Sequence, residues 1–405
     1  MVDNMKHRLG ALTVALLVAC SPAVKPTPDP VSDDPVTVSD DPSGDVPSPG
    51  QTARLVDEEG NLICEIDSRS TCMAADEGIF YSIFAPGENE ATATALYRFF
   101  RMEDKTEVSK RSFEGQGYEP SFVRTELGGV MYTLAITGSP MDNNPDDLFL
   151  LAFFPSTNKI GKVRVSATGF PYAAMAAVNG NLLIMNHEMT DPRCDKIYEY
   201  DPERYVVNEA MSFPAGKETD SIRSVADGED GFYLLRVHVD ASDNTELFID
   251  KYSYGYDKQS SLSLNSLITE AGKKAGLLAE DAAAEHKHHV SGFRVVGGRY
   301  MFYENFSCTR AIIDLESKKV LFAGNDMCQL STGSGRPLFY SLQFSSSDKS
   351  VIVGLKDGAI EEIPFTPKDS GSLFQGLSIS PSGNWLVRLF TPSGATQYVW
   401  IARGE

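Results

Sequence analysis

The chain has 405 residues, 42% of them hydrophobic and 10% aromatic, so it can bury a large core and is not disordered throughout. With 36 Lys and Arg against 56 Asp and Glu, the formal net charge is −20. That excludes broad nucleic-acid binding, which needs a basic face to displace phosphate counterions. The length fits two or three domains, or one large all-β domain.

Lys6, His7 and Arg8 precede an apolar run over residues 9–19. A basic start followed by a short apolar run reads as a secretory signal, and the run falls short of the ~20 residues a spanning helix needs. It closes with Leu17-Val18-Ala19-Cys20, which resembles the lipobox of bacterial lipoproteins. The resemblance implies that residues 1–19 are removed and Cys20 is acylated, several chains together giving the stable anchoring that one would not. An ordinary signal peptide with a chance cysteine is the alternative. Residues 20–50 carry eight of the 22 prolines and six Asp. Such a stretch buries too little surface to repay its ordering entropy and reads as an extended tether. Residues 51–405, the folded part, keep 33 basic and 49 acidic residues, a net −16. An acidic surface of this kind suits small solutes or other proteins.

Short apolar strands opened by Gly or a turn recur at residues 78–84, 129–136, 180–186, 231–237, 298–304, 349–355 and 384–390. Their starts lie 51, 51, 51, 67, 51 and 35 residues apart. Each is preceded by a strand of small residues (71–75, 121–126, 173–178, 221–226, 290–296, 340–345, 376–380). Each is followed by a partner strand (95–100, 147–154, 196–201, 246–253, 310–316, 359–365, 397–402). Outer fourth strands are read at 108–114, 162–167, 206–213, 260–267 and 319–325. The sixth unit is compressed, with a fourth strand near 372–374, and the seventh lacks one. This order predicts an all-β, seven-bladed β-propeller: small residues crowd the axis, and the next strand is apolar on both faces. Leu62-Ile63-Cys64-Glu65-Ile66 is expected to supply the missing strand and close the ring, removing open sheet edges. Because the last two units are short, six or eight blades remain alternatives. A β-sandwich fits the strand density but not a fixed period.

Ile379-Ser380-Pro381-Ser382-Gly383-Asn384-Trp385-Leu386-Val387 resembles the Ser-Pro-Asp-Gly turn of TolB-like and WD40-like bacterial propellers. Pro and Gly permit the tight reversal between inner and second strands. The resemblance covers the blade pattern of residues 52–405 and implies a fold and a habit of binding. It implies no catalytic residue.

In a propeller, loops after second strands share a face with segments entering inner strands. That gathers His187, Glu188, His238, Asp240, Tyr118, Tyr172, Arg336 and Phe339 as candidate ligand-binding residues. Aromatics, imidazoles, a guanidinium and carboxylates around one mouth suit a polar ring-bearing ligand or a peptide. Individually, such residues also pack between blades or cap turns. The extra residues between the fourth and fifth units, 269–289, are rich in helix formers and read as a helix over this face, ending in His286, His288 and His289. Imidazole ligates zinc, copper, nickel or iron, so a metal or haem site is a candidate, completed by His187 and His238 if folding brings them together. No zinc-motif spacing is present, and a solvated helix end is the alternative.

No nucleophile elbow, Walker loop or dinucleotide fingerprint occurs. Cys64 with Cys72, and Cys308 with Cys328, are disulfide candidates in an oxidising compartment, leaving Cys194 over; five buried thiols are the alternative. The expected protein is a lipid-anchored, non-catalytic binding or protein-interaction propeller of the bacterial envelope. Its expected setting is the outer membrane, with a small-molecule or envelope-protein partner such as an outer-membrane transporter. The rival is a carbohydrate-active propeller enzyme, a hydrolase or lyase.

Overall fold

A computed structural model describes residues 52–402 except 69, 86–93, 112–117, 138–145, 170–172, 189–193, 215–218, 241, 243–244, 277–289, 306–309, 325–326, 332–337, 343–350, 357–358, 364, 366, 369–370 and 381. Six of the seven apolar strands expected to be sandwiched, at 78–84, 129–136, 180–186, 231–237, 298–304 and 384–390, form as second strands, and each pairs antiparallel with an inner strand and an outer partner. Six sheets are four-stranded blades, each wound from one continuous stretch: 71–111, 118–169, 174–214, 219–263, 290–324 and 327–363. We number them blades 1 to 6. The remaining sheet is composite and five-stranded. Leu373–Ile379, Trp385–Phe390 and Thr396–Ile401 run outward from the axis, followed by Thr52–Val56 and then Leu62–Asp67.

The expectation of a seven-bladed ring, its seventh blade completed by one strand at 62–66, is therefore corrected: the ring has six blades, and a composite sheet of another make closes it. Two N-terminal strands close it. Thr52–Val56 pairs parallel with Thr396–Ile401 (Arg54 opposite Gln397, Val56 opposite Val399), and Leu62–Asp67 pairs antiparallel outside it. Ala53, Leu55 and Val56 are buried, so this strand contributes core as well as hydrogen bonds. Across the seam, the Ala74 amide of blade 1 donates to Ser378 Oγ at 2.9 Å, and the Ser382 amide donates to Asp76 Oδ1 at 2.6 Å.

The sixth unit was read out of frame. Met327–Ser331 is its inner strand, Leu338–Leu342 its second, Val351–Lys356 its third and Ala359–Ile363 its outer one. Met327–Ser331 has neither an opening Gly nor a run of small residues, so the inner-strand criterion passed over it.

The repeat has a local cause. At Gly78 and Gly231 a Cβ would sit 2.0 Å from the carbonyl oxygen of Phe100 and Tyr252, so the second strand can enter against the third only through glycine. Asn179 and Gly180, both at positive φ, make the reversal of blade 3. The outer hairpins of blades 1 to 5 each carry a non-glycine residue at positive φ: Lys105, Asn158, Tyr205, Tyr256 and Lys318.

The core lies between blades. Tyr132, Leu134 and Leu150 of blade 2 pack on Met175, Leu182, Ile184 and Tyr200 of blade 3. Asn265–Lys274 is the helix. It starts earlier than expected, and it does not lie over the mouth. Leu267, Ile268 and Ala271 join the core between the outer parts of blades 4 and 5, and Lys274 Nζ donates to Val320 O at 2.8 Å. Among the described residues no helix is long and apolar enough to cross a membrane.

Candidate functional site

Second strands end, and inner strands begin, on one face of the ring. His187 and Glu188 close the strand Asn181–Glu188, and alternation sends them to opposite sides of blade 3. Glu188 turns to blade 2. It accepts from Ser166 Oγ at 2.8 Å and from Tyr198 OH, and Lys196 Nζ lies 3.0 Å from its other oxygen. Burial raises the Glu188 carboxyl, but these bonds and the ammonium outweigh it and hold the group below the usual range.

His187 turns to blade 4. Its Nδ1 lies 2.6 Å from Oδ1 of Asp195, directly across the ladder, and Asp195 Oδ2 accepts from the Ile222 amide of blade 4 at 2.8 Å. Both side chains are 3% exposed. Burial pushes the Asp195 carboxyl up, while the His187 bond and charge and the Ile222 amide pull it down further, leaving it lowered.

Two residues earlier on the same inner strand, Asp220 stands opposite His238. Its Oδ1 takes His238 Nδ1 at 2.9 Å and Arg236 Nη1 at 2.7 Å. Arg236 also reaches Asp250 at 2.6 Å, which Lys258 and Ser261 share. The guanidinium lies 4.5 Å from the Phe248 ring centre, close enough for a cation–π contact. Asp250 is fully buried, whereas the Asp220 side chain is 43% and that of His238 26% exposed. The seam between blades 3 and 4 thus grades from a sealed imidazole–carboxylate pair to an open one at the mouth. With Nδ1 of His238 committed to carboxylate, Nε2 is the nitrogen left for a ligand.

Of the remaining expected residues, Asp240 follows His238 and accepts from the Ser242 amide at 2.8 Å. Tyr118 opens the inner strand of blade 2, opposite Thr137. Phe339 is corrected: it lies on the second strand of blade 6, opposite Leu330 and Val353, rather than before an inner strand. Cys328 follows the outer strands of blade 5 and lies on the inner strand of blade 6, opposite Ser341. Cys64, Cys72 and Cys194 are free thiols, so the expected Cys64–Cys72 bridge is not formed. Cys20, Tyr172, Arg336, His286, His288, His289 and Cys308 lie outside the described residues. Among the described residues no cluster of three or more His, Cys, Asp or Glu has metal-binding geometry.

Sequence reasoning missed Asp195, Asp220, Arg236 and Asp250. The available signal was Arg236 and His238 two apart in an otherwise apolar strand, which places both on one face.

The topology defines the class: an all-β propeller with a composite closing sheet. No protein-family model matches the chain, and no curated protein does. Among solved structures it is similar to the β-propeller domain of the Trilobed protease from Pyrococcus furiosus. That likeness has 10% identity and a TM-score of 0.49, over 81% of this chain and 93% of that one. It is also similar to the acylaminoacyl peptidase of Pyrococcus horikoshii, at 10% identity and a TM-score of 0.47, over 82% of this chain and 50% of that one. The chain thus spans about half the length of the latter protein.

Proposed function

We propose that the protein is a ligand-binding or protein-interaction propeller, anchored to a bacterial envelope membrane through Cys20 and working through the face that carries His238, Asp220 and Arg236. The observation that carries this reading is the open half of the blade 3–4 seam. There a guanidinium, a half-exposed carboxylate and an imidazole stand over an aromatic ring. Such a group can hydrogen-bond and stack on a polar ring-bearing ligand or a peptide. The direction of Thr52–Val56 adds support. It runs parallel to Thr396–Ile401, whose first residue pairs with Phe390 at the end of a second strand. The described chain therefore begins, at Thr52, on this same face.

A second reading, a hydrolase or lyase acting on carbohydrate, is favoured by the His238–Asp220 pair, since an imidazole held by carboxylate is a general base. One experiment serves both: thermal melting of the protein and of a His238→Ala/Arg236→Ala variant with metals, haem, siderophores and oligosaccharides. A saturable rise lost in the variant supports binding at this face; turnover of an oligosaccharide lost in the variant supports the enzyme. A rise kept in full by the variant overturns the site. The anchor is tested by Cys20→Ala, which should leave the membrane fraction; persistence there overturns it.

A further inference from the structure

Across the ring from the blade 3–4 seam, polar atoms converge where the closing sheet, blade 1 and blade 2 meet. Arg124 of blade 2 reaches over to blade 1, where its Nη1 donates to Thr71 O at 3.2 Å. Its Nε is buried without a hydrogen-bond partner among the described residues, and so is Ser70 Oγ, one residue before Thr71. Ser70 is 4% exposed. From the other side Tyr398 OH donates to Ser70 O at 3.3 Å, and Arg388 stands opposite Tyr398 on the neighbouring strand, sharing its face of the sheet. Buried donors are almost always matched, so the orphans at Arg124 and Ser70, both beside the start of the inner strand of blade 1, call for an acceptor.

The charges agree. Among the described residues neither Arg124 nor Arg388 forms an ion pair, in a chain whose net charge is −20. The neighbouring groups stay neutral: burial pushes the Cys72 thiol, which lies near both arginines, up to about 12, and the Tyr97 phenol beside Arg124 up to about 12. Burial also disfavours the Arg124 charge, so that guanidinium is partly desolvated, with no carboxylate among the described residues to offset the cost.

We propose that Arg124, Arg388 and Ser70 form a subsite for an anionic group, a carboxylate or a phosphate, on a ligand entering the central channel. Guanidinium forks beside a hydroxyl donor match the oxygens of both anions. The subsite does not depend on the blade 3–4 group.

The test is calorimetric titration of the purified full chain in detergent, at constant ionic strength, with sodium phosphate and separately with sodium acetate, against Arg124→Gln and Arg388→Gln. Saturable binding of at least one anion, weakened tenfold or more in both variants, is expected; the anion that binds tells phosphate from carboxylate. Without anion, Arg124→Gln should melt no lower than the parent, because it removes a desolvated charge. If that variant fails to fold, Arg388→Gln, at an exposed position, carries the test alone. No saturable binding of either anion, or binding unchanged in the variants, overturns the subsite.

Discussion

Asp195→Ala removes the acceptor that ties blade 3 to blade 4. It strands two buried donors, His187 Nδ1–H and the Ile222 amide, which Asp195 takes at 2.6 and 2.8 Å. Each orphaned buried donor costs about 1–3 kcal/mol, so stranding two should cost about 3–4 kcal/mol. Unfolding entropy of about 2 cal/mol/K per residue over ~350 residues converts that to a fall in Tm of about 5 °C. Asp195→Asn keeps one acceptor and should lose about half as much. The sign with pH follows from the lowered carboxyl: its stabilisation is present at neutral pH and is lost as pH falls below about 3.8 through the lower folded value. Calorimetry should therefore show the gap between parent and Asp195→Ala narrowing in acid, and hydrogen exchange should show faster exchange at the Ile222 amide. An unchanged Tm together with unchanged exchange at Ile222 would refute the reasoning.

Ring closure depends on Leu55, 1% exposed in the parallel strand, so Leu55→Ala should cost about 2–5 kcal/mol in denaturant unfolding, and a loss below 1 kcal/mol would contradict the composite sheet. Tyr205, at φ 56 and exposed, holds a strained turn, and Tyr205→Gly should stabilise by about 0.5–1 kcal/mol; a destabilised variant would show that the ring packs in a way this account lacks. Alkylation of the denatured, unreduced chain should label both Cys64 and Cys72, and protection of both would restore the bridge.

The blade pattern was legible because its causes are local. Glycine is required at 78 and 231 by a neighbouring carbonyl, and strands buried on both faces must read as apolar runs such as 181–188 and 232–239. What failed depended on long-range pairing. Thr52–Val56 follows a Pro-rich stretch and meets its partner more than 340 residues later, at Thr396–Ile401, so nothing near it marks a parallel strand. The short spacing of the last units came from missing Met327–Ser331, whose side chains lack the small-residue signature of the other inner strands. At the site, His187, His238 and Glu188 were found by counting strand ends. Their carboxylate partners were not, because Asp195 and Asp220 are paired with them by register, which is set across the sheet.

The central claim is that the working face is the one carrying His238 and the start of the described chain at Thr52. The most direct measurement places a photo-crosslinking side chain at Ser242, beside Asp240 on that face, or at Glu229, in the turn between inner and second strands on the opposite face, in cells carrying the native membrane. The account predicts a discrete adduct from position 242 and none from 229. An adduct from 229 alone would contradict it.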